Sequence, residues 1–90
     1  MKPVLLITGG GRGIGAATAR LAARAGYDVA LSYRGNREAA EALVRELRAA
    51  GARALAVAGD VAREPDVLRL FEAVDGELGR LDALVNNAGI

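Results

Sequence analysis

Between residues 4 and 25 the chain changes character twice. Val4-Leu5-Leu6-Ile7 is an unbroken apolar run, residues 8–15 (Thr8-Gly9-Gly10-Gly11-Arg12-Gly13-Ile14-Gly15) hold five glycines, and Ile14 to Ala25 is built from small, helix-favouring residues. A short run with no polar alternation suits a strand covered on both faces, as in a parallel sheet. Gly26 stands where a left-handed helix cap is expected. The chain is therefore read as a strand feeding a helix through a glycine loop, with Gly9, Gly13 and Gly15 in the spacing Gly-x-x-x-Gly-x-Gly. Backbone N–H groups can approach a pyrophosphate closely only where no Cβ stands in the way. The helix N-terminus adds partial positive charge toward the phosphates. Ala16, Ala17 and Ala19 let that helix lie close to the sheet. The same glycines could simply serve a tight turn needing positive φ, but their strand-to-helix setting favours a phosphate cradle. The rival phosphate loop, Gly-x-x-x-x-Gly-Lys-Ser/Thr, is not satisfied, because the second glycine of any candidate register is followed by Arg12, Ile14 or Ala16 and never by lysine.

The remainder repeats the alternation. Val29-Ala30-Leu31 reads as a second buried strand. Asn36 is a fair N-cap for a second helix with Ala39, Ala40, Leu43, Val44, Leu47 and Ala50 on one face, a Glu41/Arg45 pair on the other, and Gly51 closing it. Ala54–Ala58 is a third strand, stopped by Gly59-Asp60. Pro65 fits the first turn of a third helix, whose apolar face is expected from Val67, Leu68, Leu70, Phe71 and Val74, with Gly79 at its end. Ala62 gives that helix no capping hydroxyl, so Glu64 is expected to stand in. Leu81–Val85 is a fourth strand, running into Asn86-Asn87-Ala88-Gly89. Asp28, Asp66 and Asp82 read as surface or turn residues.

The order β-α-β-α-β-α-β implies an α/β fold with a parallel sheet and right-handed crossovers. By fold-level analogy it is part of a Rossmann-like doubly wound sheet, with strand order 3-2-1-4 and a switch point between strands 1 and 4. Helices 1 and 2 are then expected on one face and helix 3 on part of the other.

Composition narrows the function classes. Ninety residues make one domain, and 52% hydrophobic with 26% charged is an ordinary globular balance. With no cysteine and no histidine, disulfides, thiol catalysis and Cys/His zinc sites are excluded. Residues 1–53 carry nine basic and four acidic side chains, residues 54–90 three and seven. The basic half could attract a phosphate-rich ligand, or simply form solvated helix faces. No secretory signal and no bilayer-spanning run is read from the sequence, and neither nucleic acid nor membrane is expected as a partner, so a cytoplasmic protein is expected.

Three segments carry a family resemblance. Thr8-Gly9-Gly10-Gly11-Arg12-Gly13-Ile14-Gly15 resembles the cofactor loop of classical short-chain dehydrogenases/reductases, Asp60-Val61 resembles the pair that family uses near the adenine, and Asn86-Asn87-Ala88-Gly89 resembles its second hallmark. The resemblance implies that Gly9, Arg12, Gly13, Ile14 and Gly15 line the pyrophosphate and adjoining ribose. It implies that Asp60 accepts from the adenine amino group beside the Val61 backbone. Asn86 would set its backbone against the adenine-side ribose and tie strand 4 to its neighbour by its side chain, and Ala88 and Gly89 would lie near the nicotinamide. Asp60 could otherwise be a turn residue, and Asn86 and Asn87 could merely satisfy loop backbone groups.

NAD binders of this fold usually place an acid at the end of strand 2, for the ribose 2′-OH. Here that end reads Leu31-Ser32-Tyr33-Arg34, with Tyr33 in the expected place. Arg34, with Arg12, could instead grip a 2′-phosphate, and Ser32 or Asn36 could add a neutral donor. Solvated loop charges are the alternative for Arg34 and Arg37. NADP is thus expected over NAD.

In the resembling family, catalysis rests on Tyr-x-x-x-Lys with a serine and an asparagine. Neither Tyr27 nor Tyr33 has lysine four positions on, Leu31 and Arg37 standing there instead, and the sole lysine is Lys2. No catalytic residue is assigned. The resemblance makes residues 1–90 the amino-terminal, dinucleotide-binding part of a longer single-domain enzyme that is a homo-oligomer and moves a hydride between NADP(H) and a carbonyl or alcohol on a small organic substrate. The competing expectations are a non-catalytic nucleotide-binding or regulatory module and a Rossmann-like domain with no ligand.

Overall fold

The structure, a computed structural model, describes residues 2–9, 11 and 13–87. Its elements alternate as expected: β1 (Val4–Thr8), α1 (Gly13–Arg24), β2 (Asp28–Tyr33), α2 (Arg37–Ala49), β3 (Ala54–Ala58), α3 (Glu64–Leu78) and β4 (Ala83–Asn86). The strands form one parallel sheet in the order β3-β2-β1-β4. β1 lies between β2 and β4, with Leu6 opposite Ala30 on one side and Leu84 on the other.

Alternate residues of β1 enter two cores. Leu5 and Ile7, with Val29 and Leu31 of β2, face α1 and α2 and pack on Ala16, Ala19, Leu43 and Leu47. Val4 and Leu6, with Ala30, face α3 and pack on Leu70, Val74 and Leu78. Ala16 and Ala19, joined by Ala22, are small enough to bring α1 close to the sheet, whereas Ala17 is exposed on the other side of the helix. Coverage is uneven. β2 is buried through Ser32, whereas Leu84 of β4, level with Leu6, is 54% exposed.

Several local expectations change. β2 starts at Asp28, one residue before the apolar run, and ends at Tyr33 as expected, with Ser32 paired to Val57 and Tyr33 to Ala58; polar Ser32 is buried and accepts from Gly9 N. α3 buries the stripe Leu70, Val74, Leu78, while Leu68 and Phe71 are exposed; its apolar residues span a wider arc than one sheet contact covers. Glu41 pairs with Arg37 (2.8 Å) rather than hydrogen-bonding Arg45. Glu64 does not cap α3, whose N-cap position is Arg63 with no side-chain capping bond. Asn36 does cap α2, in the left-handed region that asparagine tolerates, accepting from Ala39 N.

The aspartates read as surface or turn residues are structural fasteners. At the amino ends of the strands, Asp28 is buried and accepts from Arg53 N (2.8 Å) and Arg53 Nε (2.9 Å), binding the start of β2 to the start of β3. Asp82 Oδ2 accepts from Val4 N (2.8 Å) and binds the approach of β4 to β1. A buried carboxylate is retained only when such donors replace water. Asp66 does comparable work at the other end of the sheet. Among the described residues no helix is long and apolar enough to cross a membrane, and no group of acidic side chains is arranged to hold a metal ion.

Burial by itself pushes the Asp28 carboxyl upward, but the Arg53 backbone and guanidinium donors outweigh it and hold the carboxyl below its ordinary value. A carboxyl depressed on folding contributes stability above its unfolded pKa and loses that contribution as pH falls through the folded value. Asp28→Asn is therefore expected to lower stability at neutral pH by about 1–3 kcal/mol, the range for a hydrogen bond to a charged group. It should also flatten the fall in stability below about pH 4. Urea unfolding of both chains from pH 7 to pH 2.5 checks this; an unchanged neutral midpoint would contradict it.

Candidate functional site

The carboxyl ends of β1, β2 and β3 open into a cleft of about 470 Å³. Gly9, Gly11 and Gly13 line one side, from the loop between β1 and α1. The end of β2 and the following turn supply Ser32, Tyr33, Arg34 and Asn36. Gly59 and Val61 come from the turn after β3, and Asn87 from the exit of β4.

The glycine loop is shaped by backbone requirements. Gly9 has φ 68° and Gly13 φ 62°, both left-handed values that a side chain would strain. Gly13 opens α1, whose first turn carries no acidic side chain, so its N-terminal partial charge is not offset there. Ser32 Oγ takes the Gly9 N–H at 3.1 Å. Thr8 Oγ1 donates to Asn86 Oδ1 and accepts from Asn87 N, both at 3.0 Å, and Asn87 Nδ2 donates to Gly9 O at 3.0 Å. The loop is thus braced from β2 on one side and β4 on the other.

Of the residues singled out from the sequence, Gly9, Gly13, Arg34 and Val61 line this cleft. Asp60 lies between Gly59 and Val61, with Oδ2 3.7 Å from Arg34 Nη2, so two residues expected to read opposite parts of one nucleotide face each other. Arg34 is largely exposed. An exposed pair of that length is worth only about 0–1 kcal/mol, so a phosphate would readily take the guanidinium. Gly15 is buried in α1 and Ile14 is exposed; neither lines the cleft. Asn86 acts within the sheet, opposite Thr8. Arg12, Ala88 and Gly89 lie outside the described residues.

Sequence reasoning assigned no site role to Asn87, and mentioned Ser32 and Asn36 only as accessory donors. The signal for Asn87 was its place in the doublet after β4. Which of two adjacent asparagines turns toward the glycine loop depends on strand register, which the sequence pattern does not specify. Asp66, six positions beyond Asp60, was missed altogether: its Oδ2 accepts from Asp60 N at 2.8 Å.

A dinucleotide can be tested against these features. Among the described residues the cleft has glycine backbone along one side, a helix N-terminus with no acid in its first turn, the exposed cation Arg34 and one acceptor-bearing turn, which fits the pyrophosphate, phosphate and base of such a ligand. The comparisons agree with that fit. The family model for short chain dehydrogenases matches residues 3–90. The chain is 41% identical over 90 residues to the 3-oxoacyl-(acyl-carrier-protein) reductase FabG of Staphylococcus epidermidis, covering all of this chain and 37% of that protein. The solved short-chain dehydrogenase/reductase of Sinorhizobium meliloti 1021 superposes with a TM-score of 0.92 at 40% identity, covering 100% of this chain and 41% of that one. Acetoin dehydrogenase from Enterobacter cloacae gives 0.90 at 36% identity, with 100% and 36% covered. The chain therefore spans little more than a third of the length of the relatives it matches. On its motifs, its sheet order and these matches, the chain belongs to the short-chain dehydrogenase/reductase family, whose members are NAD(P)-dependent oxidoreductases.

Proposed function

We infer that the chain is the dinucleotide-binding part of a longer single-domain reductase, and that its cofactor is NADP(H) rather than NAD(H). The observation that carries the cofactor choice is the end of β2. Tyr33, not an acidic residue, closes that strand, and the exposed Arg34 follows directly at the rim of the cleft, its only nearby carboxylate among the described residues being that of Asp60, in the turn after β3, at 3.7 Å. A carboxylate there would repel a 2′-phosphate; a guanidinium bonds it with charge-assisted geometry. Gly9, Gly13 and the α1 N-terminus, joined by Arg12 of the same loop, take the pyrophosphate, with Ile14 and Gly15 behind them. Asp60 and Val61 take the adenine. Asn86 sets its backbone against the adenine-side ribose, and Ala88 and Gly89 meet the nicotinamide end. The bound dinucleotide supplies the hydride for reduction of a carbonyl on a small organic substrate, or accepts it in the reverse direction. Relatives named for 3-oxoacyl groups and for acetoin support a carbonyl or alcohol substrate. A homo-oligomeric enzyme in the cytoplasm, where nicotinamide dinucleotides are held, accords with this reading.

Proton transfer needs a group with a matched pKa beside the reacting carbonyl. The single lysine, Lys2, donates to Gly51 O, on the loop before β3 and away from the cleft, and so has no part in such a pair with Tyr33. The 90-residue chain is therefore expected to bind NADPH without turning it over. Incubation with NADPH and a panel of ketones should leave the 340 nm absorbance at background; oxidation clearly above it, in chain free of host reductases, would contradict this.

Cofactor choice is tested by titration. NADPH should bind more tightly than NADH, and Arg34→Asp should weaken NADPH by about 1–3 kcal/mol while leaving NADH much less affected. Equal affinity of the unmutated chain for the two dinucleotides would overturn the NADP assignment.

A further inference from the structure

The turn after β3 is held by a residue outside the cleft. Gly59 N donates to Tyr33 O (2.8 Å), which fixes where the turn begins. The next N–H, that of Asp60, donates to Asp66 Oδ2 at 2.8 Å. The Asp60 side chain is then directed in turn: Oδ1 accepts from Ala62 N at 2.9 Å, and Oδ2 faces Arg34 at 3.7 Å. Asp66 itself is fixed by an ion pair from its Oδ1 to Arg69, one turn along α3, and its side chain is 13% exposed. The turn lies directly against it, since a Cβ on Gly59 would come within 3.3 Å of Asp66 Cβ.

Asp66 is the third residue of α3, the position from which an acid ordinarily reaches back to the N–H of the N-cap residue. Here the N-cap Arg63 N–H is taken by Asp60 O (2.9 Å), and the Asp66 carboxylate reaches past it into the nucleotide-facing turn. α3 is docked independently, through Leu70, Val74 and Leu78. The carboxylate thus serves the turn more than the helix.

We propose that Asp66 is a positioning residue for recognition of the nucleotide base: it holds the Asp60 backbone so that the Asp60 carboxylate meets the base edge at a fixed place. This rests on the reading of Asp60 as the adenine acceptor. The N–H of Asp60 first, and then Arg69, hold the Asp66 carboxyl below its ordinary value, so it stays an ionised acceptor through the neutral range. An asparagine can still accept the Asp60 N–H through its side-chain oxygen; an alanine leaves that N–H to water and the turn without its brace.

The test compares NADPH with reduced nicotinamide hypoxanthine dinucleotide phosphate, in which a carbonyl replaces the amino group that Asp60 would accept from. The full unmutated chain should prefer NADPH by about tenfold, the scale of one hydrogen bond to a charged group. Asp66→Ala should reduce that preference to within about threefold, and Asp66→Asn should keep most of it. If Asp66→Ala binds both dinucleotides more weakly but with the preference intact, Asp66 is merely structural and the proposal fails. If the unmutated chain binds both equally, Asp60 does not read the base and the proposal falls with it. If the unmutated chain binds neither, the dinucleotide reading of the cleft is itself wrong. Should the alanine chain not fold, amide exchange in the unmutated, ligand-free chain decides: the Asp60 N–H should be protected at least about tenfold, and exchange at the unprotected rate would overturn the proposal.

Discussion

The central strand fixes everything else in this molecule. β1 pairs in parallel with β2 on one side and β4 on the other, and all five of its residues are buried. A strand with apolar side chains on both faces has to be covered twice, and parallel neighbours can be reached only by crossovers, so helices must lie on both sides of the sheet. Because the crossover to β2 and the path to β4 leave on opposite sides, the chain parts at the carboxyl end of β1. That parting is the crevice in which doubly wound sheets bind ligands. The cleft is a consequence of topology before any side chain contributes to it.

Polar groups then hold the sheet at its two ends, with different results. At the amino ends, Asp28 and Asp82 take N–H groups at the starts of neighbouring strands and bind the sheet together with charged acceptors. At the carboxyl ends, Thr8, Ser32 and Asn87 brace the glycine loop while leaving its outer surface open. These three side chains are short and neutral, so bracing the loop brings no negative charge to it. The acids that do stand nearby, Asp60 and Asp66, are each engaged, one facing Arg34 and the other holding a backbone N–H and Arg69.

Much of this was legible in the sequence, and most of the failures share a cause. Apolar runs, glycine punctuation and the small residues of α1 gave every element in its order, because burial on both faces writes a signal into consecutive residues. The glycine loop was legible for a different reason: Gly9 and Gly13 adopt conformations few other residues accept. What escaped depends on which partner the fold brings to a side chain, whether distant in sequence or only a turn away. Asp28 and Asp66 look like surface or turn residues until Arg53 arrives beside the one and the Asp60 N–H against the other, and Ser32 looks like an accessory ligand donor until Gly9 N finds it. Leu68 and Phe71 failed differently, since periodicity identifies a helix face but not how much of that face the sheet covers.

The central claim is that the carboxyl ends of three strands and the loop after β1 form one nucleotide-binding surface. Mapping backbone amide shifts of the isotopically labelled chain during titration with 2′-phosphoadenosine diphosphate ribose, which carries base, pyrophosphate and 2′-phosphate together, tests it most directly. The account predicts perturbations at Gly9, Gly13, Tyr33, Arg34, Asp60 and Asn87, and none around Arg48, Arg53 and Leu78 at the opposite end of the sheet. Shifts centred on that opposite end, or spread evenly over the surface helices, would contradict it.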